Sequence, residues 1–253
     1  MAMGMVAFLL TYEATTGLRS VAARVVLAFV IALITGTLIG WLNGLIIVKF
    51  GIPSLVATIG TQFFWRGAVL VLSQGKSGTL GYVKESFLHP LLVGKFGGDF
   101  PMQMLWLIII ALLGWVLLNR HKFGAHIYLI GDNVNSAELM GINTGRVRIR
   151  AFMLIGLISA LAGIIASFHV VYFWPSLGEG YLLRTLASVF LGGTSVFGGT
   201  GTILGTFIGA FIIGAIEAAT VAVGLTGFWT QLIYGLIIVL SVTMHAYLRK
   251  RVE

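Results

Sequence analysis

The sequence predicts an all-α protein, a polytopic membrane helix bundle of about seven to eight membrane segments, one of them broken or short. Two observations predict this class. Apolar residues make up 58% of the chain and charged residues 9%, whereas a soluble domain carries about 25% charged residues. Mean hydropathy is +1.02, and long uncharged intervals recur along the chain. These features exclude a soluble enzyme, a nucleic-acid-binding domain and a disordered chain, and indicate that most of the surface faces lipid.

The membrane segments are located by the intervals between charged residues, because a spanning helix needs about 20 apolar residues. Five intervals are long enough: 24–49, 99–120, 150–179, 184–217 and 217–249. The stretch 52–72 is apolar but interrupted by Arg66. Residues 1–12 are apolar but too short to cross alone, and we interpret them as the remainder of a helix that begins outside this chain. Continuous apolar runs such as 107–113 do not alternate as barrel strands would. We expect one membrane domain over residues 1–253.

The positions of Lys and Arg predict the orientation, because cytoplasmic loops carry the excess of these residues. Basic residues flank a loop at 120–150 on both sides, and three more lie at 249–251. We therefore expect this loop and the C-terminus on the cytoplasmic side. Passes at 151–171, 184–197, 201–223 and 228–248 give the even number that this arrangement requires.

Motifs for catalysis, nucleotide binding or metal binding are absent from the sequence. Gly75-Lys76-Ser77 resembles the end of a phosphate-binding loop, but Leu70 stands where the first glycine belongs. The chain has no cysteine, and its five histidines are scattered without a metal-binding spacing. We expect no cofactor bound by this chain and no catalytic residue.

Glycines occur at helix-packing spacing in two predicted spans. Small residues four apart allow two backbones to approach closely in lipid. Packing within one bundle is the favoured interpretation, and a subunit interface is the alternative. The sequences at 36–40 and 201–205 are alike, and the predicted topology runs them in opposite directions, as an inverted repeat requires. The two sets are Gly36, Gly40 and Gly44, and Gly201, Gly205 and Gly209.

A glycine-rich segment at 190–201 predicts a break at membrane depth. Five of its twelve residues are glycine, and they should end a helix after about two turns. Broken backbone is tolerated there only when it is buried or lines a wet cavity. Thr194 and Ser195 therefore either line a polar path or belong to a tight packed turn. Arg66 and Glu217 are intramembrane ionisable residues, which are functional candidates by default, and their opposite charges allow a pair.

The centre of the 120–150 loop, residues 131–143, predicts a short helix. We expect Asn135 as its N-cap, Glu138 at the third helical position and Gly141 as the residue that stops it. Such a short helix is marginal alone in water. It should therefore be held by packing against its own chain or a partner.

Residues 131–143 resemble the coupling-helix motif of the ribose/xylose/galactose-type ABC transporter permeases, through Gly131-Asp132-Asn133, Ala137 and the run 139–143. The run 191–199 resembles that family's G-G-T-S-x-x-G-G signature, and 41–44, 53–54 and 65–67 match in order. The chain differs from the family in three respects. Judged by the family pattern it would lack two N-terminal helices, it has Arg184 where many members carry an acidic residue, and it has Glu217 where they carry Asp or Asn.

The resemblance implies a non-enzymatic permease subunit in the bacterial cell membrane, the inner membrane in a Gram-negative cell. It implies import of a monosaccharide or related polyol by a permease dimer, homomeric or heteromeric. Its partners would be a cytoplasmic ABC ATPase that binds ATP and Mg, and a periplasmic or lipid-anchored substrate-binding protein. The lipid bilayer surrounds it, and no nucleic acid is expected.

The resemblance also assigns residues. The coupling residues would be Asn133, Asn135, Ala137, Glu138, Leu139, Gly141 and Ile142. Arg146 and Arg148 would lie at the rim of the ATPase groove, or form an ordinary basic flank. Apart from the resemblance, the broken segment and the intramembrane charges make Thr194, Ser195, Arg66 and Glu217 the candidates for the translocation pathway. Branched-chain amino acids, nucleosides or a sugar-like signal are alternative cargoes, and a proton-coupled secondary transporter using Glu217 is the alternative mechanism.

Overall fold

A computed structural model describes residues 21–196 and 198–252, and this part of the chain is predominantly helical. Six of its helices are long and apolar enough to cross a membrane. They are α1 (Val21–Phe50), α2 (Ser54–Ser73), α4 (Met102–Arg120), α7 (Thr144–Val170), α9 (Ile203–Ala222) and α10 (Gly227–Val252). Four shorter helices are α3 (Leu88–Val93), α5 (Lys122–Asp132), α6 (Val134–Leu139) and α8 (Tyr181–Leu191). The predicted all-α bundle is confirmed. The apolar stretch at 1–12 lies outside the described residues.

Two compact units make up the fold. Unit 1 contains the described residues up to Ile108 together with Gly145–Gly178, and unit 2 contains Ile109–Thr144 and the described residues from Glu179 onward. The few strands are two residues long and pair antiparallel. β1 (Gly78–Thr79) pairs with β4 (Tyr172–Phe173), and β2 (Lys95–Phe96) pairs with β3 (Phe100–Pro101).

Unit 1 is held together by close packing of α1 on α7. A Cβ at Gly36 would lie 2.5 Å from the Cβ of Ala160, and one at Gly44 would lie 2.8 Å from the Cα of Ile149. A Cβ at Gly40, between them, would overlap the carbonyl oxygen of Phe152. The glycine face of α1 is therefore covered by a helix of the same chain, and bulk on that face would separate the two backbones.

Unit 2 packs α8 against α9 and α10 around a small core of Ala187, Ile213 and Tyr234. Helix α8 has 11 residues, about 16 Å of helix, which is too short to cross a hydrocarbon core of about 30 Å. Helix α8 is therefore the short helix that the sequence predicts in this region. It begins three residues before Arg184 and has about three turns where about two were expected.

Candidate functional site

Helix α6 is fixed at its start by Asn133. The Asn133 side chain accepts a hydrogen bond from the backbone N–H of Ser136 at 3.0 Å, which satisfies one of the free donors of the first turn. The expectation that Asn135 caps this helix is therefore wrong, because the helix begins two residues earlier than expected, at Val134 instead of Ser136. Glu138 is consequently its fifth residue and not its third. Asn133 also ends α5, so α5 and α6 are joined through a single residue.

Helix α6 ends at the glycine expected to stop it. Gly141 has φ +79°, and two backbone bonds close the end of the helix: Gly141 N–H to Glu138 O (2.9 Å) and Ile142 N–H to Ala137 O (3.1 Å). This is a Schellman motif, for which a left-handed residue is required. The Glu138 carboxylate accepts a hydrogen bond from the Thr144 hydroxyl at 2.8 Å, which ties the helix to the start of α7.

The far side of α6 presents an apolar tip. Ala137 is buried, with only 1% of its surface exposed, whereas Leu139 is 90% exposed and Met140 68% exposed. Asn135, Ser136 and Glu138 beside them are exposed as well. Two large apolar side chains in a polar loop between spans are the kind of surface that marks a protein contact. The helix is thus attached through one face and available through the other.

The segment after α8, which we call the glycine loop (residues 192–196 and 198–202), bonds several of its backbone N–H groups to the end of α8 and to its own carbonyls. Gly193 has φ +84°, and the N–H groups of Gly193 and Thr194 return to the carbonyls of Phe190 and Val189 at 3.0 and 3.2 Å. The N–H of Ser195 donates to Thr200 O at 3.0 Å. These backbone groups therefore need no water, and a pathway role for Ser195 stays a prediction about its side chain.

Thr194 and the second glycine set lie where α8, the loop and α9 meet. The Thr194 hydroxyl lies 3.5 Å from the Thr206 hydroxyl, and a Cβ at Gly201 would lie 3.0 Å from Thr194 side-chain atoms. A Cβ at Gly205 would overlap the carbonyl oxygen of Gly192, and one at Gly209 the carbonyl oxygen of Ser188. This glycine face is therefore covered from within unit 2, as that of α1 is within unit 1.

The glycine loop also touches α5. The Tyr128 hydroxyl donates to Gly201 O at 2.7 Å. A Cβ at Gly131 would lie 2.7 Å from the backbone nitrogen of Gly199, and one at Gly198 would overlap the carbonyl oxygen of Gly131. The two motifs quoted separately from the sequence, 131–143 and 191–199, are therefore in direct backbone contact.

An ion pair joins α8 to α9. Arg184 donates to the Glu217 carboxylate, and their side chains are 42% and 34% exposed in the isolated chain. Glu217 thus has Arg184 as its partner, and the pairing with Arg66 considered above stays a prediction. Arg66 is half-buried in α2, in the other unit. Glu217 lies five residues before the end of α9, about 8 Å along the axis, so the pair is set inside the span.

Comparison with known proteins identifies the family. The family model described as "Branched-chain amino acid transport system / permease component" matches residues 1–242. The chain belongs to this permease family. The resemblance drawn from residues 131–143 and 191–199 is therefore confirmed, and the six apolar spans of the described residues are those of a multi-pass membrane protein.

Relatives within this permease family carry transport names. The chain is 36% identical over 217 residues to the autoinducer 2 import system permease protein LsrC of Klebsiella pneumoniae subsp. pneumoniae, covering 85% of this chain and 61% of the relative. It is 34% identical over 224 residues to the LsrC of Yersinia pestis (strain Pestoides F), covering 88% of this chain and 62% of the relative. The chain thus spans less than two thirds of these relatives. No solved structure matches it.

Sequence reasoning missed three residues of this permease that the structure brings forward. Met140 lies inside the motif at 131–143, but the sequence could not show that its side chain is exposed, because that depends on how α6 packs. Arg184 was noted only as a departure from the family, because its contact with Glu217 follows from the antiparallel packing of α8 on α9. Tyr128 carried no sequence signal. Among the described residues, no cluster of three His, Asp or Glu side chains is arranged to hold a metal ion.

Proposed function

We propose that this chain is the membrane-spanning, non-enzymatic permease subunit of an ATP-driven importer in the bacterial cell membrane. The observation that carries the proposal is α6, a short helix capped at both ends that points Leu139 and Met140 into solvent. Membership of the permease family supplies the context. In this arrangement a cytoplasmic ABC ATPase, which binds ATP and Mg, receives the apolar tip of α6 in a groove.

The attachment of α6 suits this role. A docking helix must be attached rigidly to the rest of its own chain. Otherwise a movement of the partner would only bend the loop and would not reach the membrane helices. Asn133 at one end, the Schellman turn at Gly141 and the bond from Thr144 to Glu138 provide that rigidity. In this proposal Glu138 holds α6 to its own chain through Thr144, and Leu139 and Met140 make the ATPase contact.

The cargo that we propose is a small, neutral, hydroxyl-rich molecule of the monosaccharide type, delivered by a periplasmic or lipid-anchored binding protein. Two relatives are named as importers of autoinducer 2, which favours a sugar-like signal among the possible cargoes. The family description names branched-chain amino acids instead. We assign Arg184 and Glu217 to the pathway side of α8 and α9. Charged side chains inside a membrane face the bundle interior or water, not lipid.

A second copy of the permease completes the proposed assembly. The exposed fractions of Arg184 and Glu217 are those of an isolated chain, and a dimer partner or an aqueous cavity would cover them. Proton coupling through Glu217, the alternative mechanism, would require the Arg184 pair to open in every cycle. ATP coupling also accounts for α6, which proton coupling does not.

Uptake by the complete complex in proteoliposomes tests the cargo. The permease, its ATPase and its binding protein are reconstituted with ATP inside, and radiolabelled ribose, autoinducer 2 and leucine are offered separately. We expect uptake of one of the first two and none of leucine. Uptake of leucine alone would overturn the sugar-like assignment and leave the permease assignment intact.

A further inference from the structure

The contact between α5 and the glycine loop is made of backbone. Gly131 meets Gly198 and Gly199 with no side chain between them, and Gly198 and Gly199 have φ +94° and +74°. Side chains absorb small displacements by changing rotamer, whereas two touching backbones have no such freedom. A glycine inside a helix also costs about 1 kcal/mol relative to alanine, so Gly131 in α5 is explained by this close approach.

Tyr128 adds a second attachment one turn earlier on the same face of α5, since residues three apart are neighbours on a helix. Its hydroxyl holds the carbonyl of Gly201 at 2.7 Å. The loop is therefore fixed to α5 at two points, and its last residue, Thr202, caps α9 by accepting from the N–H of Gly205 at 3.0 Å. Movement of the last turn of α5 must move the start of α9.

The C-terminal end of α5 is joined to α6 by a single residue, with no flexible linker between them. Asn133 is both the last cap of α5 and the first cap of α6. A displacement of α6 consequently reaches Gly131 within two residues of chain. The continuous connection is α6, α5, the glycine loop and then the α8–α9 pair that carries Arg184 and Glu217.

We propose that Tyr128 and Gly131 are positioning residues that transmit displacement of α6 to the α8–α9 pair through the glycine loop. The proposal rests on the proposed function, because an ATPase must displace α6. Both residues act at a distance from the cargo, and neither is assigned a contact with it or with the ATPase.

Nucleotide-dependent thiol reactivity tests the proposal without knowledge of the cargo. The chain has no cysteine, so Ser195→Cys places a single reporter in the glycine loop. The permease–ATPase complex is held in nanodiscs, and the rate of reaction with a water-soluble maleimide is measured without nucleotide and with ATP and vanadate. We expect the two rates to differ several-fold. Tyr128→Phe and Gly131→Ala should each reduce that ratio by at least half, with ATPase binding retained. Tyr128→Phe should also keep the melting temperature, whereas the added Cβ of Gly131→Ala, 2.7 Å from the backbone nitrogen of Gly199, should lower it.

Gly214→Ala is the matched control, because a Cβ there meets nothing within 4 Å, and it should leave the ratio unchanged. If Gly131→Ala fails to fold, Tyr128→Phe, which keeps the ring and loses only the hydroxyl, decides alone. A ratio unaffected by Tyr128→Phe overturns the transmission role. A bound ATPase that never changes the reactivity of the Ser195→Cys thiol overturns it as well. A complex that does not form at all refutes the proposed function, and the inference falls with it.

Discussion

Leu139→Ala should weaken binding of the ATPase without changing the stability of the permease. Leu139 is 90% exposed, so its truncation removes almost no contact within the chain, and the melting temperature should stay unchanged. If the ATPase buries this side chain, the variant loses about three methylene equivalents at about 0.8 kcal/mol each. The expected loss is therefore about 2 kcal/mol of association free energy, or about 30-fold in Kd.

The assay is the Kd between the ATPase and the permease in nanodiscs, measured by biolayer interferometry, with the melting temperature followed in parallel. Leu139→Met is the matched control, since it preserves apolar volume and should change Kd far less than alanine does. Equal affinity of the native and Leu139→Ala permeases for the ATPase would refute the docking role of the tip. A lowered melting temperature would show instead that Leu139 packs within its own chain.

Three further predictions concern packing, the ion pair and the glycine loop. Gly40→Ala should destabilise the permease by about 1–3 kcal/mol, because its Cβ meets backbone of α7, and should lower the melting temperature by about 2–10 °C. The control is Gly60→Ala, where nothing lies within 4 Å and which should be neutral or stabilising. A greater loss of stability for Gly60→Ala than for Gly40→Ala would contradict the packing. Glu217→Ala should cost about 1–3 kcal/mol by leaving Arg184 unpaired, more than the double variant that carries both Arg184→Ala and Glu217→Ala, which removes both charges. Equal melting of the single and double variants would show that the pair is not coupled. Ser195→Leu should lower uptake several-fold with normal membrane insertion, and unchanged uptake would remove Ser195 from the pathway.

The sequence predicted the fold well because lipid imposes simple requirements. Long apolar intervals become helices wherever backbone groups must be satisfied internally, and the helices over 21–50 and 102–120 follow the intervals between charges closely. The exception is the segment after Arg184. Its charge interval was long enough for a span, but the glycines at 192 and 193 end α8 early, and interval length carries no information on where a helix stops.

The site was predicted in part, for a related physical reason. Local geometry is encoded locally, so the short helix and its stop at Gly141 were both readable. The choice between Asn133 and Asn135 as cap was not, because either side chain can cap and the start of the helix decides between them. Contacts distant in sequence, such as Tyr128 with Gly201 and Arg184 with Glu217, depend on helix packing, for which glycine spacing indicated the helices involved but not their partners.

The energy source of transport tests the central claim most directly. Proteoliposomes containing the permease, its ATPase and its binding protein are supplied with labelled cargo and either ATP or a non-hydrolysable analogue inside. Cargo should accumulate only with hydrolysable ATP, and should stop accumulating when the ATPase is omitted. Accumulation driven by an imposed proton gradient in proteoliposomes without ATPase would contradict the assignment as the permease subunit of an ATP-driven importer.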